Sequence, residues 1–287
     1  GVMITVDPKD TVWQKEFEDD FPYTETEDQL REGIYVYGIP VLLPPNRIDA
    51  GTFKFHGRRY QLPLNEPWRN NHLHGVVATR EWELRNRSAN AVLFGCGVEE
   101  SAGLGVPFDV EILYEFSGST MVQRTTVRNG GELPMPFGIG FHTVFRSPRR
   151  ARLTAAEFRW EIVRPRFLAS GRKLPWDQFN PNDWFDPSKQ TISCHFPMET
   201  KEFDGKPFRG ALLDYDNLRV RYESGPEFHH WCLWNRDPDS GFLCPEPMSW
   251  MVDAPNQPLP PEETGFQSIA PHGSWNGINR FSVEELQ

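Results

Sequence analysis

The chain has only 4 cysteines among its 287 residues, Cys96, Cys194, Cys232 and Cys244, and no two stand at C-x-x-C spacing. That spacing excludes a zinc ribbon and a dense disulfide framework, so the thiols read as free structural groups in a reducing compartment. Positive charge is in deficit: 30 Lys and Arg against 40 Asp and Glu give a net charge of -10. The one local basic cluster is Arg146, Arg149, Arg150 and Arg152. A nucleic-acid partner, which needs a basic face to neutralise phosphates, is not expected. Long apolar runs are missing too. Nothing approaches the roughly 18 consecutive apolar residues of a membrane helix, and no basic-then-apolar leader opens the chain. The expectation is a cytoplasmic protein with no membrane partner, binding a small molecule. His72 and His74 could chelate from one face of a strand, yet no third ligand is near, so neither metal nor cofactor is expected. No repeat, linker or three-turn amphipathic helix breaks the chain, which implies one domain over 1–287.

What the sequence does have is rings and turn formers: 10 Trp and 21 Phe beside 26 Pro and 23 Gly. Such a mixture favours many short strands. T-F-K-F, a His56-Gly57 turn and R-Y-Q-L predict a hairpin, and Phe108–Phe116 with Met121–Val127 predict a longer one across S-G-S-T. Further strands are expected at Gly38–Leu43, Ala211–Asp214, Leu218–Tyr222, in H-H-W-C-L-W and in F-L-C-P-E-P. Residues 151–190 read as irregular and proline-rich, and the acidic, aromatic stretch within residues 1–33 as a surface loop or short helix. The fold class is all-β, a large antiparallel β-sandwich.

Three stretches carry chemistry. P-F-G-I-G-F-H-T-V-F (136–145) reads as a buried strand with one histidine, His142; Gly138 and Gly140 lack a Cβ, so something packs close there. N-N-H-L-H-G (70–75) holds His74, and L-C-P-E-P (243–247) holds Glu246 between two prolines. Each has an ordinary alternative: a histidine satisfied in the core, a turn cap before Gly75, an exposed turn carboxylate.

Taken in order, G-I-P-V-L-L-P-P-N-R-I, N-N-H-L-H-G, P-F-D-V-E-I-L-Y-E-F, M-P-F-G-I-G-F-H and L-C-P-E-P resemble the aldose 1-epimerase (mutarotase) family, from about Gly33 to the C-terminal A-P-H-G-S. The resemblance implies a β-sandwich whose concave face holds a hexose. By position, it implies Glu246 as general base, His142 as general acid and His74 as the group that holds and polarises the sugar. The family's arginine in a G-R dipeptide falls here on Leu42 and Leu43, which leaves Arg47 or Arg80 to replace it. Its sugar-binding aspartate falls among Asp204, Asp214 and Asp216, with Asp214 the choice, and Asn71 joins as a contact from the L-H-G stretch.

Anomer interconversion removes a proton from the anomeric hydroxyl and delivers one to the ring oxygen. A carboxylate and an imidazolium on opposite sides of the ring can do both. The expected function is therefore aldose 1-epimerase, an isomerase acting on a hexose or modified hexose; the alternative is a carbohydrate-binding or sensing protein without turnover.

Overall fold

The structure is a computed structural model and describes residues 34–286; the expectation for residues 1–33 lies outside them. Two antiparallel sheets face each other. The first runs Val41–Leu42, Gly140–Phe141, Phe242–Met248, His230–Trp234, Ser193–Pro197, Arg159–Val163 and Leu168–Leu174, with Phe145–Arg146 also paired to Phe242–Met248. The second runs Arg150–Leu153, Gly210–Asp214, Leu218–Ser224, Ser274–Glu285, Thr120–Asn129, Phe108–Ser117, Ala91–Val98 and Glu83–Arg87. Among the described residues the one α-helix is the single turn Pro261–Thr264.

Alternation explains which side chains meet, because successive residues of a strand point to opposite faces. In Phe108–Ser117, Phe108, Val110, Ile112 and Tyr114 are buried while the residues between them are less so. Between the sheets, Phe145 and Trp231 of the first meet Tyr222 of the second, with ring centroids 5.7 and 5.9 Å apart. Since Trp231 and Leu233 point into this core, Cys232 must point out of the opposite face of the first sheet. Trp160, His195, Cys232 and Glu246 are direct partners across four adjacent strands, and so form one row on that outer face.

Both expected hairpins are present. Thr52–Phe55 pairs with Arg58–Gln61 through His56 and Gly57, both at positive φ, and Phe108–Ser117 pairs with Thr120–Asn129. Three expectations need correction. The stretch 136–145 is not one strand: Met135–Phe137 pairs with Gln267–Ile269, whereas Gly140–Phe141 and Phe145–Arg146 join the first sheet. Residues 151–190 contain Arg159–Val163 and Leu168–Leu174, joined by a turn at Pro165, so a proline confined to the turn had concealed two good strands. The 12-residue strand Ser274–Glu285, unassigned from sequence, lies in the middle of the second sheet.

Candidate functional site

Glu246 is not a turn residue. It sits in the strand Phe242–Met248, every residue of which is buried, between Pro245 and Pro247. A proline has no N–H to give a ladder, so two of them inside an interior strand need an explanation. The neighbouring edge supplies it. That edge pairs at Gly140 with Met248 and again at Phe145 with Leu243, and is interrupted from His142 to Val144. The P-E-P run and the interruption lie side by side, and the interruption is where His142 turns toward the carboxylate.

His142 Nε2 stands 3.4 Å from Glu246 Oε1. The rings of His74 and His142 are 5.4 Å apart and nearly perpendicular, and the Trp234 ring lies 5.6 Å from His142. Gly138 and Gly140 admit close neighbours, as expected: a Cβ on Gly138 would sit 2.2 Å from the Trp250 indole, and one on Gly140 would sit 2.9 Å from Met248 Cγ.

His74 does not share a strand face with His72. The strand ends at Leu73, and His74 adopts φ 60, a left-handed conformation that turns it out of the alternation. Gly75 follows at φ 78, where a Cβ would lie 2.0 Å from the Leu43 carbonyl oxygen. The His74 N–H donates to Asn46 O at 3.0 Å and that of Val76 to Leu43 O at 2.9 Å. His72 is a structural residue, its Nδ1 held 2.7 Å from Pro63 O.

All three members are almost sealed from solvent: His74 is 8%, His142 4% and Glu246 1% exposed. Burial disfavours charge, so the His142 pKa falls to about 3 and that of His74 lies well below the usual imidazole value, lowered also by His142 and Arg47. Burial likewise pushes Glu246 well above the carboxylate range, opposed by the Cys232 thiol that bonds to it and by Arg47. Burial thus favours the uncharged form of each member of the pair, carboxyl and imidazole alike. Among the described residues, His74 Nδ1, His142 Nδ1 and Glu246 Oε2 have no hydrogen-bond partner. Such atoms are uncommon, because buried polar groups are nearly always paired, and here three belong to side chains that lie side by side.

The remaining candidates divide. Arg47 Nε and Nη2 donate to both oxygens of Glu66, at 2.8 and 2.9 Å, while its charge reaches His74 and Glu246. Burial by itself would raise the Glu66 pKa, but donors from Arg47, Asn71 and Arg69 hold it below the usual range. Asn71 belongs to this network rather than to the cluster: its amide donates to Glu66 and Arg166 O, and its oxygen accepts from Arg166. Arg80 Nε donates to Val76 O. Asp214 lies in the second sheet with its oxygens bonded by Arg150 and Arg219. Asn71, Arg80 and Asp214 are each bonded to local partners, and the ligand contact expected of them is carried no further.

Two residues at the cluster were not singled out from sequence. Trp234 was readable, since it alternates with Cys232 on a strand beside Glu246. Tyr35, whose ring lies 4.7 Å from His74 and 5.5 Å from His142, carried no local signal. Among the described residues, no group of three or more His, Cys, Asp or Glu is arranged to hold a metal ion, and no helix is long and apolar enough to cross a membrane.

Comparison with known proteins adds three findings. The family description "Aldose 1-epimerase" matches residues 12–278. Two Escherichia coli (strain K12) proteins are similar. Uncharacterized protein YphB is 25% identical over 260 residues, 86% of this chain and 83% of YphB. Uncharacterized protein YihR is 31% identical over 104 residues, which span 36% of this chain and 34% of YihR. Among solved structures, a galactose mutarotase-like protein from Clostridium acetobutylicum superposes with a TM-score of 0.84 at 26% identity, covering 92% of this chain and 85% of that one.

Proposed function

The chain belongs to the aldose 1-epimerase family, and from that premise we propose that it interconverts the α and β anomers of a hexose or modified hexose by acid–base ring opening. The observation that carries the reading is the buried His142–Glu246 contact of 3.4 Å, with His74 beside it and a polar atom on each of the three side chains left without a partner among the described residues.

Ring opening moves one proton off the anomeric oxygen and one onto the ring oxygen while the bond between C1 and the ring oxygen breaks. Both oxygens are bonded to C1, so they are close neighbours. Two groups in contact, on one side of the ring, suit that demand better than the opposed pair expected from sequence. Glu246 takes the proton from the anomeric hydroxyl and His142 delivers its own to the ring oxygen. The C1 aldehyde then rotates about its bond to C2, and the reverse transfers close the ring on the other face. Because burial favours the uncharged forms, it draws the pair's transferable proton toward Glu246. Sugar hydroxyls supply the hydrogen bonds that favour its passage to His142, because hydrogen bonding to the charged forms offsets their burial. His74, with Nδ1 unpaired, holds the sugar in place, and Trp234 offers a ring face to its C–H surface.

A binding protein without turnover is the second reading, and the burial-raised pKa of Glu246 favours it, since a protonated carboxyl is no base. Polarimetry of freshly dissolved α-D-galactose and α-D-glucose separates the two. Faster equilibration that Glu246→Gln abolishes supports the enzyme, and a spontaneous rate with measurable binding supports the second reading.

A further inference from the structure

Tyr35 lies against the two histidines of the site. Its ring touches both imidazoles, with centroids 4.7 and 5.5 Å away, and the next residue, Val36, packs against Val144, Phe242 and Cys244 on the same face. Burial beneath this cover pushes the Tyr35 hydroxyl up to about 12.

The attachment of this segment is uneven. From Gly38 onward it is fastened to the interrupted edge that bears His142: Val144 N–H donates to Gly38 O at 3.1 Å, and His142 N–H to Pro40 O at 2.9 Å. Before Gly38, among the described residues, no backbone hydrogen bond joins residues 34–37 to either sheet, and the contacts to the site are side-chain packing alone. Gly38 is exposed, has φ 66, and a Cβ placed on it would meet nothing within 4 Å. A glycine with free space around it at the end of a fastened segment can change its dihedrals without colliding with a neighbour. Aromatic packing of the Tyr35 kind is of ordinary strength and reversible.

We propose that Tyr35 is a gate: its ring fills the place of the ligand over His74 and His142, and residues 34–37 swing about Gly38 to admit it. That the ligand is a sugar rests on the function proposed above; that the gate exists does not. Binding is then a competition between the ring and the guest, so apparent affinity is the intrinsic affinity reduced by the open fraction.

Two measurements on the intact chain test this. Diethyl pyrocarbonate labelling, mapped by mass spectrometry, reads access to His74 and His142, with exposed His229 and His272 as internal references. In Tyr35→Ala the two site histidines are expected to label several-fold faster relative to the references, while Tyr35→Phe, which keeps the ring, labels as the parent does. D-Galactose binding, followed by Trp fluorescence, is expected to tighten about two- to tenfold in Tyr35→Ala, the size of an aromatic contact relieved. Unchanged labelling overturns the gate, and so does weakened galactose binding, which would make the ring a wall of the pocket. Faster labelling with no sugar bound by either protein keeps the gate and overturns the sugar.

Discussion

Cys232 and Glu246 face each other directly across two interior strands of the first sheet, so thiol and carboxyl rise side by side from its outer face. Cys232 is itself held as a thiol, its pKa raised well above the usual value by burial and then by Glu246. It can therefore donate to the carboxylate but does not compete with it for charge.

Removing that donor makes Glu246 harder to ionise. Cys232→Ala is expected to move the limb of the anomerisation pH–rate profile that reports Glu246 to higher pH, and Cys232→Ser, which restores a donor, to bring it back. A profile indifferent to both substitutions would remove Cys232 from the account of the site.

Glu246→Gln preserves shape and removes the titration. Activity by polarimetry is expected to fall about a hundredfold to ten-thousandfold, the usual weight of one positioned proton-transfer group. Stability is expected to respond in the other direction. A carboxyl whose folded pKa is raised keeps its proton when the unfolded chain has lost it, so its contribution is present below the ordinary value of 4.5 and is lost as pH rises toward the folded value. The glutamine variant escapes this loss, and its urea midpoint relative to the parent is expected to climb between pH 5 and pH 8.

His74, His142, His195 and His230 are all buried neutral, with the pKa of His142 and His195 lowered by burial to about 3 and the other two lowered well below 6.5. The unfolded chain takes up protons near 6.5 that the folded chain refuses. Stability is thus complete above that pH and falls as pH drops through it, by about 1.4 kcal/mol per pH unit for each histidine. His195 has both ring nitrogens unpaired. His195→Leu is expected to shallow the acid slope and to keep or raise stability at pH 7, because no hydrogen bond is broken. Denaturant titrations at pH 7 and pH 5 read both effects, and an unchanged slope would show that His195 does not contribute.

Gly75→Ala tests the turn that aims His74. At φ 78, with the Leu43 carbonyl oxygen 2.0 Å from the added carbon, the turn must shift. A loss of about 1–3 kcal/mol is expected from this strain, along with weaker sugar binding as His74 moves. A variant with full stability and binding would show that His74 needs no such turn.

Local pattern was readable where a strand alternates or a turn announces itself. The hairpins across His56-Gly57 and S-G-S-T follow from side-chain period and turn chemistry alone, which act over a few residues. Arg159–Val163 and Leu168–Leu174 were hidden by the proline between them, and Ser274–Glu285 by the absence of any single strong signal in a strand whose stability comes from neighbours on both edges. The histidines and glutamate were nominated by a family resemblance. For Asp214, range along the chain says nothing of which sheet a residue joins, and for Asn71 and Arg80 proximity in sequence does not say which local partner takes a polar group.

The sequence alone determined that the chain builds antiparallel strands and which titratable residues are candidates, since propensity, period and turn residues are short-range properties. Tertiary structure decided what those residues are chemically. Strand register put Glu246 beside Cys232, an interrupted edge turned His142 to within 3.4 Å of it, and burial disfavours charge on both. Tyr35, 39 positions before His74 in the chain, came to rest on its ring. Protonation and access depend on which atoms exclude water from a group, and that is known only once distant strands have packed together.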